Sequence, residues 1–200
     1  MSAVWVLDGE SVNPGWLPVP ETIDDAWVAA NAAELRSAWG DAWLPVHDEL
    51  VPAILRAGPA HRRPEDAFCF QIWPASGPVC LFVHAAVGRL DPAIDLPAPG
   101  DALLYQAAGL GAGLQVPFVQ RVADTEVLGL EYLFQAAEQA VTVLVEPTLP
   151  ELLQPLMPAI HSFVQSLTLT ASDGRRFEAV PPGLPEATAA ASWLDTLTVR

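Results

Sequence analysis

The chain has 200 residues, 52% of them apolar and only 16% charged, and its 24 acids against 9 bases give a formal net charge of −15. This composition excludes an intrinsically disordered chain, and a length of this order buries roughly 70% of the unfolded surface without help from disulfides or metals. All nine bases are arginine, and the only basic pairs are Arg62–Arg63 and Arg175–Arg176. Nucleic-acid and anionic-membrane binding, which need clustered cations, are therefore not expected.

The opening stretch, AVWVLDG, reads as a short strand. The N-terminus has no basic region and carries Asp8 and Glu10 where a signal peptide would be apolar, so a cytoplasmic location is expected. No apolar run is long enough to span a bilayer. After a loop containing Pro14, Pro18 and Pro20, Thr22-Ile-Asp-Asp25 reads as a helix start. Thr22 is placed to cap it, Asp24 and Asp25 to sit at the positive end of its dipole, and Gly40 to stop it. A second helix is expected between His47 and Ala57, from Leu50, Val51, Ile54 and Leu55 at helical spacing. Pro52 is tolerated best in a first turn, so a regular start as late as Val51 is expected.

A hairpin follows. AFCFQIW (67–73) and PVCLFVHAAV (78–87) flank the turn Pro74-Ala-Ser-Gly77. Pairing Trp73 with Pro78 puts Cys69 opposite Phe82 and Gln71 opposite Cys80. The two cysteines are then diagonal neighbours on one face, and a register shifted by two sets them directly opposite. The cytoplasmic reading favours free thiols packed between apolar neighbours. Beyond a Pro-rich loop (89–100), Asp101 is expected to cap a short helix, DALLYQAAG, ending at Gly109. Three meandering strands are expected at 113–122, 126–134 and 139–146. Thr148-Leu-Pro-Glu151 matches a capping box, and a long apolar stripe from Leu149 to Leu167 predicts a helix interrupted at Pro155 and Pro158. LTLTA (167–171) and RFEAV (176–180) suggest a last hairpin. The chain is thus read as one α+β domain over 1–180, a central antiparallel sheet with helices packed on its faces, followed by a Pro/Ala-rich tail (181–200) that folds back through Trp193 and Leu194.

Chemical motifs are sparse. Gly109-Leu-Gly111-Ala-Gly113 has the wrong spacing and order for a dinucleotide loop, and reads as a helix cap with a tight turn into a strand. His47, His61, His84 and His161 form no metal-binding spacing. His84 is expected to be a satisfied strand histidine, and His161 a solvated one on the polar flank of its helix. Asp48 and Glu49 serve a helix start. Ser76 and Ser166 lack a nucleophile-elbow context. Cys69 and Cys80 read as inert packing, and Glu131 and Glu146 as strand acids on a solvated face. No catalytic residue, cofactor or metal is expected from spacing. Trp16, Trp39 and Trp43, near element ends, are the candidate interaction residues.

The order of a three-stranded meander, the helix segment EPTLPELLQPLMPAIHSFVQSL and the strand SLTLT resembles the layout of PsbP-like domains, and is similar to that of small acidic proteins of GC-rich actinobacteria. The resemblance covers residues 67–171, and no functional residue is carried across by it. It implies an α/β/α sandwich on an antiparallel sheet, used as a binding or accessory module. Together with the charge, this predicts a non-catalytic interaction protein whose partner has a basic face, or which self-associates. The alternative is a small-molecule-binding protein or hydrolase with a pocket between sheet and helix.

Overall fold

The computed structural model describes residues 4–11, 14–89, 102–136 and 139–180. Asp101, most of the Pro-rich loop and the tail 181–200 lie outside them. The strands are β1 (Trp5–Asp8), β2 (Trp16–Pro18), β3 (Asp66–Ile72), β4 (Leu81–Arg89), β5 (Leu103–Ala107), β6 (Gly111–Val122), β7 (Thr125–Ala136), β8 (Gln139–Thr148) and β9 (Thr168–Ala171). The helices are α1 (Asp25–Trp39), α2 (His47–Ala57), α3 (Pro150–Leu153) and α4 (Met157–Ser166). Seven strands form one antiparallel sheet in the order β2-β3-β4-β8-β7-β6-β5, and β1 pairs with β9 in a separate two-stranded sheet. This is an α+β fold. Among the described residues no helix is long and apolar enough to cross a membrane.

The alternation of side chains divides the sheet's two faces. Phe70 and Ile72 of β3, Leu81, Val83 and Ala85 of β4, Leu128 to Phe134 at every second position of β7, and Val141, Val143 and Val145 of β8 share one core with Ile160, Phe163 and Val164 of α4. Phe163 is the hub, with its ring 5.2 Å from Phe70 and 5.7 Å from Trp16. On the other side Leu17 and Trp73 pack with Val28, Leu35 and Trp39 of α1 and Val51 and Leu55 of α2.

Local chemistry explains most boundaries and several departures. Asp24, not Thr22, caps α1: its Oδ1 accepts from the Trp27 N–H at 2.7 Å. Gly40 ends the helix at φ +51°, a conformation that favours glycine. The second helix begins at His47 with Pro52 in its interior, so its first turn forms ahead of the proline, four residues before Val51. The expected capping box is not made: Thr148 ends β8, and Leu149 precedes α3 without a side-chain cap. Pro155 lies in a 3₁₀ turn (Gln154–Leu156) that breaks α3 from α4, and Pro158 sits in the first turn of α4. The break thus falls at the two prolines, as their missing N–H groups require.

The largest correction concerns DALLYQAAG. Its described part is the edge strand β5, paired with β6 from Leu103↔Gln115 to Ala107↔Gly111. Its leucines and alanines favour a helix locally, but Tyr105 and Ala107 alternate into the core, and pairing with β6 overrides the propensity. The glycines beside it make the hairpin turn, with Gly111 at φ +87°, not a helix cap. Finally, β9 turns to β1 for its ladder. Residues 176–180 return past it through a single bridge, Thr170↔Arg176, and then meet the start of β6 through a parallel bridge, Gly111↔Ala179.

Candidate functional site

On the sheet face opposite α4, strands β3, β4 and β8 bring together Asp66, Cys69, His84 and Glu146. The β3–β4 ladder is shifted two residues from the expected register: Cys69 faces His84 and Gln71 faces Phe82. Both cysteines are free. A bulge between Asp66 and Phe68 lets Asp66 pair with Ala86 while Phe68 pairs with Ala85. Residues three apart in a regular strand point to opposite faces, so this bulge is what places Asp66 beside Cys69. Glu146 joins from β8, whose Val145 pairs with Val83.

His84 is the centre. Its side chain is 2% exposed and that of Asp66 1%. Nδ1 lies 2.8 Å from Asp66 Oδ2, and Nε2 lies 3.2 Å from Glu146 Oε1. His61, which follows α2, places its Nδ1 3.3 Å from the same Glu146 oxygen and stacks its ring on Phe82 at 3.9 Å. The Sγ of Cys69, a ring nitrogen of His84 and a carboxylate oxygen of Asp66 lie within 4.8 Å of one another. The linker before β3 is fixed by Arg62, which donates to the carbonyls of Val19 and Asp66 at 2.9 Å, and by the Arg63 N–H, which donates to Asp66 Oδ2 at 2.8 Å. The other oxygen, Asp66 Oδ1, is buried without a partner.

Burial works against the charged form of His84, but the acceptors around it, Cys69, Glu146 and Asp66, win and raise its pKa to about 10. Glu146 is pulled the other way: burial opposes its charge, and the two imidazoles hold its carboxyl below the usual range. An imidazolium donating from both nitrogens has no lone pair to act as a general base near neutrality. Cys80 is no better suited to nucleophilic chemistry, because burial pushes its thiol up even though Gln71 donates to its sulfur at 3.3 Å. The arrangement therefore favours a charged His84 between two carboxylates at neutral pH. Reading Glu146 as a solvated strand acid is corrected, since its side chain is 27% exposed and doubly bonded. The satisfied-strand reading of His84 stands.

The other expected residues fall elsewhere. His161 is half-buried against Tyr105 and Tyr132, with Nε2 lacking a partner, so burial lowers its pKa; it is not the solvated histidine expected. His47 is buried, its ring edge-on to both Trp39 and Trp43, and its Nδ1 accepts from the Leu44 N–H. Glu131 is half-buried on the His84 face, two strands away, and burial raises its pKa despite Arg63. A cleft of about 180 Å³ runs past it along the sheet, below the range usual for organic ligands.

Trp16 and Trp39 lie in the two cores. Trp43 is half-buried at the corner between α1 and α2, where its Nε1 donates to Asp48 Oδ1 at 2.9 Å and Arg36 lies 5.7 Å above its ring. Around it Leu44, Val46 and Leu50 are 54%, 59% and 39% exposed. The exposed acids Asp41, Asp48 and Glu49 lie next to these residues in the chain, and Asp24, Asp25 and Glu34 are exposed at the cap and on the surface of α1. The two bases in this region are each held locally, Arg36 by Asp48 and Arg56 by Asp25, both at 2.9 Å.

No family model matches the chain, and no curated protein is significantly similar to it.

Proposed function

We propose that the chain is a cytoplasmic, non-catalytic accessory protein that docks a partner with a basic face through the α1–α2 corner. The observation that carries this reading is the corner itself: three exposed apolar side chains and the ring of Trp43, rimmed by carboxylates, with Arg36 and Arg56 each paired to an aspartate. An apolar centre within a charged rim is the anatomy of a protein interface, and the sign of the rim selects a cationic partner and speeds its approach. The locked hydrogen bonds of His84 support the non-catalytic part of the reading. For the fold we propose the α/β/α layering of PsbP-like domains, supported by the α4 core on one sheet face and the α1–α2 core on the other.

The test is a photocrosslinking residue at position 44 or 46, used in the native host. The expected result is a defined adduct with a protein whose contacting peptides are rich in Lys and Arg, formed less as salt rises and lost in an Asp48→Asn, Glu49→Gln double variant. Adducts insensitive to both salt and this variant, or adducts only with a second copy of the chain, would refute it.

A further inference from the structure

We propose that Asp66, Cys69 and His84 form a binding site for a divalent transition-metal ion of the zinc class. The proposal is independent of partner docking, which concerns a different surface.

The donor set selects the ion. One thiolate sulfur, one imidazole nitrogen and one carboxylate oxygen suit a borderline cation such as Zn²⁺, whereas Mg²⁺ and Ca²⁺ take oxygen ligands. The geometry is close to what such an ion needs. With metal–ligand bonds of about 2.0 to 2.3 Å, tetrahedral ligand atoms lie about 3.3 to 3.6 Å apart. The three donors here are within 4.8 Å of one another, so side-chain adjustments of an ångström or so close the site. Two adjacent strands supply all three donors, and the bulge at Asp66 produces the convergence.

The surroundings are those of a metal site. A ligating histidine commonly donates its other ring N–H to a carboxylate, which fixes its tautomer; here Nδ1 faces Asp66 while Nε2 is bonded to Glu146. Glu146 is itself anchored by His61, and Asp66 by the Arg63 N–H. The independent sign is Asp66 Oδ1, a carboxylate oxygen buried with nothing to accept from. Such atoms are uncommon and costly, and a bound cation would supply the missing partner. A cleft of about 220 Å³ reaches Asp66 from the surface, and Arg62 at its rim directs its guanidinium to the carbonyls of Val19 and Asp66, not to the carboxylate. On binding, the ion takes the place of the proton that Nδ1 shares with Asp66, and of the Cys69 thiol proton, and both protons leave to solvent. Three protein donors leave a fourth position for water.

Cobalt(II) added to the tag-free, metal-stripped chain tests this. The expected result is one ion per chain, with a thiolate-to-cobalt charge-transfer band and the intense visible absorption of four-coordinate cobalt, both bleached by zinc. The chain has only two cysteines, so persistence of the band in Cys80→Ser assigns the sulfur to Cys69 without altering the site. Zinc, but not magnesium, is expected to raise the melting temperature of both proteins. Absence of the charge-transfer band in the wild type, its loss in a folded Cys80→Ser chain, or equal stabilisation by magnesium would overturn the proposal.

Discussion

His84 and Glu146, 62 positions apart in the chain, meet at 3.2 Å, with the imidazole donating from Nε2. The contact joins β4 to β8 on the face opposite α4. Glu146→Gln keeps the shape and removes the charge. It is expected to lower the pKa of His84, read from its ring-proton NMR signals, and to cost about 1.5 to 3 kcal/mol in urea unfolding, the range for a hydrogen bond to a charged group. An unchanged titration would mean that Cys69 and Asp66 set the charge of this imidazole without Glu146.

The metal-free chain is expected to show a characteristic pH profile. The folded pKa of His84, about 10, lies above its ordinary 6.5. Its stabilisation is therefore complete below pH 6.5 and is lost as pH rises through 10. Glu146 is held below its ordinary 4.5, so its share is present above that value and lost on further acidification. Urea midpoints measured in a chelator should fall steadily from neutral pH towards pH 10. The alkaline decline should be blunted in His84→Asn, and a wild-type midpoint that stays level over that range would contradict the assignment.

Asp66→Asn leaves the His84 imidazolium without its closest counter-charge. Removing one member of a buried ion pair costs about 3 kcal/mol or more, and chemical denaturation should register that loss. Backbone amide shifts around residues 63–68 should move as well, because the same carboxylate accepts the Arg63 N–H beside the bulge.

Phe163→Ala removes a ring that is fully buried and in contact with the rings of Trp16, Phe68 and Phe70. Truncations of this kind cost about 3 to 5 kcal/mol. The effect should appear as a lowered denaturation midpoint and, because Trp16 loses a neighbour, as a change in tryptophan emission of the folded protein.

Gly109→Ala and Gly77→Ala form a matched pair. A Cβ at Gly109 would collide with the Leu167 carbonyl, whereas one at Gly77 meets nothing within 4 Å. Alanine at 109 is expected to destabilise by about 2 kcal/mol through overpacking against backbone, and alanine at 77 to change the melting temperature little. Equal effects would remove the close approach of the β5–β6 turn to the α4–β9 junction.

Local patterns carried much of the fold. Helix α1 up to Gly40, the limits of α2, the three long strands β6 to β8 and the interruption at Pro155 and Pro158 follow from residue types within a few positions of one another. The misreadings arise where distant partners decide. Residues 103–107 take the strand form because β6 offers an open ladder. The β3–β4 register departs from the simplest turn pairing because the ladder begins only at Ile72↔Leu81, leaving a longer loop. The His84 cluster was invisible for a similar reason. Asp66 ends the polar run HRRPED (61–66), a bulge leaves no mark in the apolar pattern, and Glu146 arrives from a strand whose place in the sheet only the full topology determines. Cys69 lies between two phenylalanines, a setting that describes its sequence neighbours and not the residues across the ladder. The signal that was available is the concentration of Asp, Cys and His in 61–84.

The pairing of β1 with β9 joins Trp5 to Ala171, so the earlier of these two strands leaves the ribosome long before its partner. During synthesis the apolar residues of β1 have no ladder partner until residues 168–171 emerge, and closure of this small sheet is therefore a late event. A chain cut short before β9 would keep every strand of the large sheet yet leave β1 with an unmatched edge.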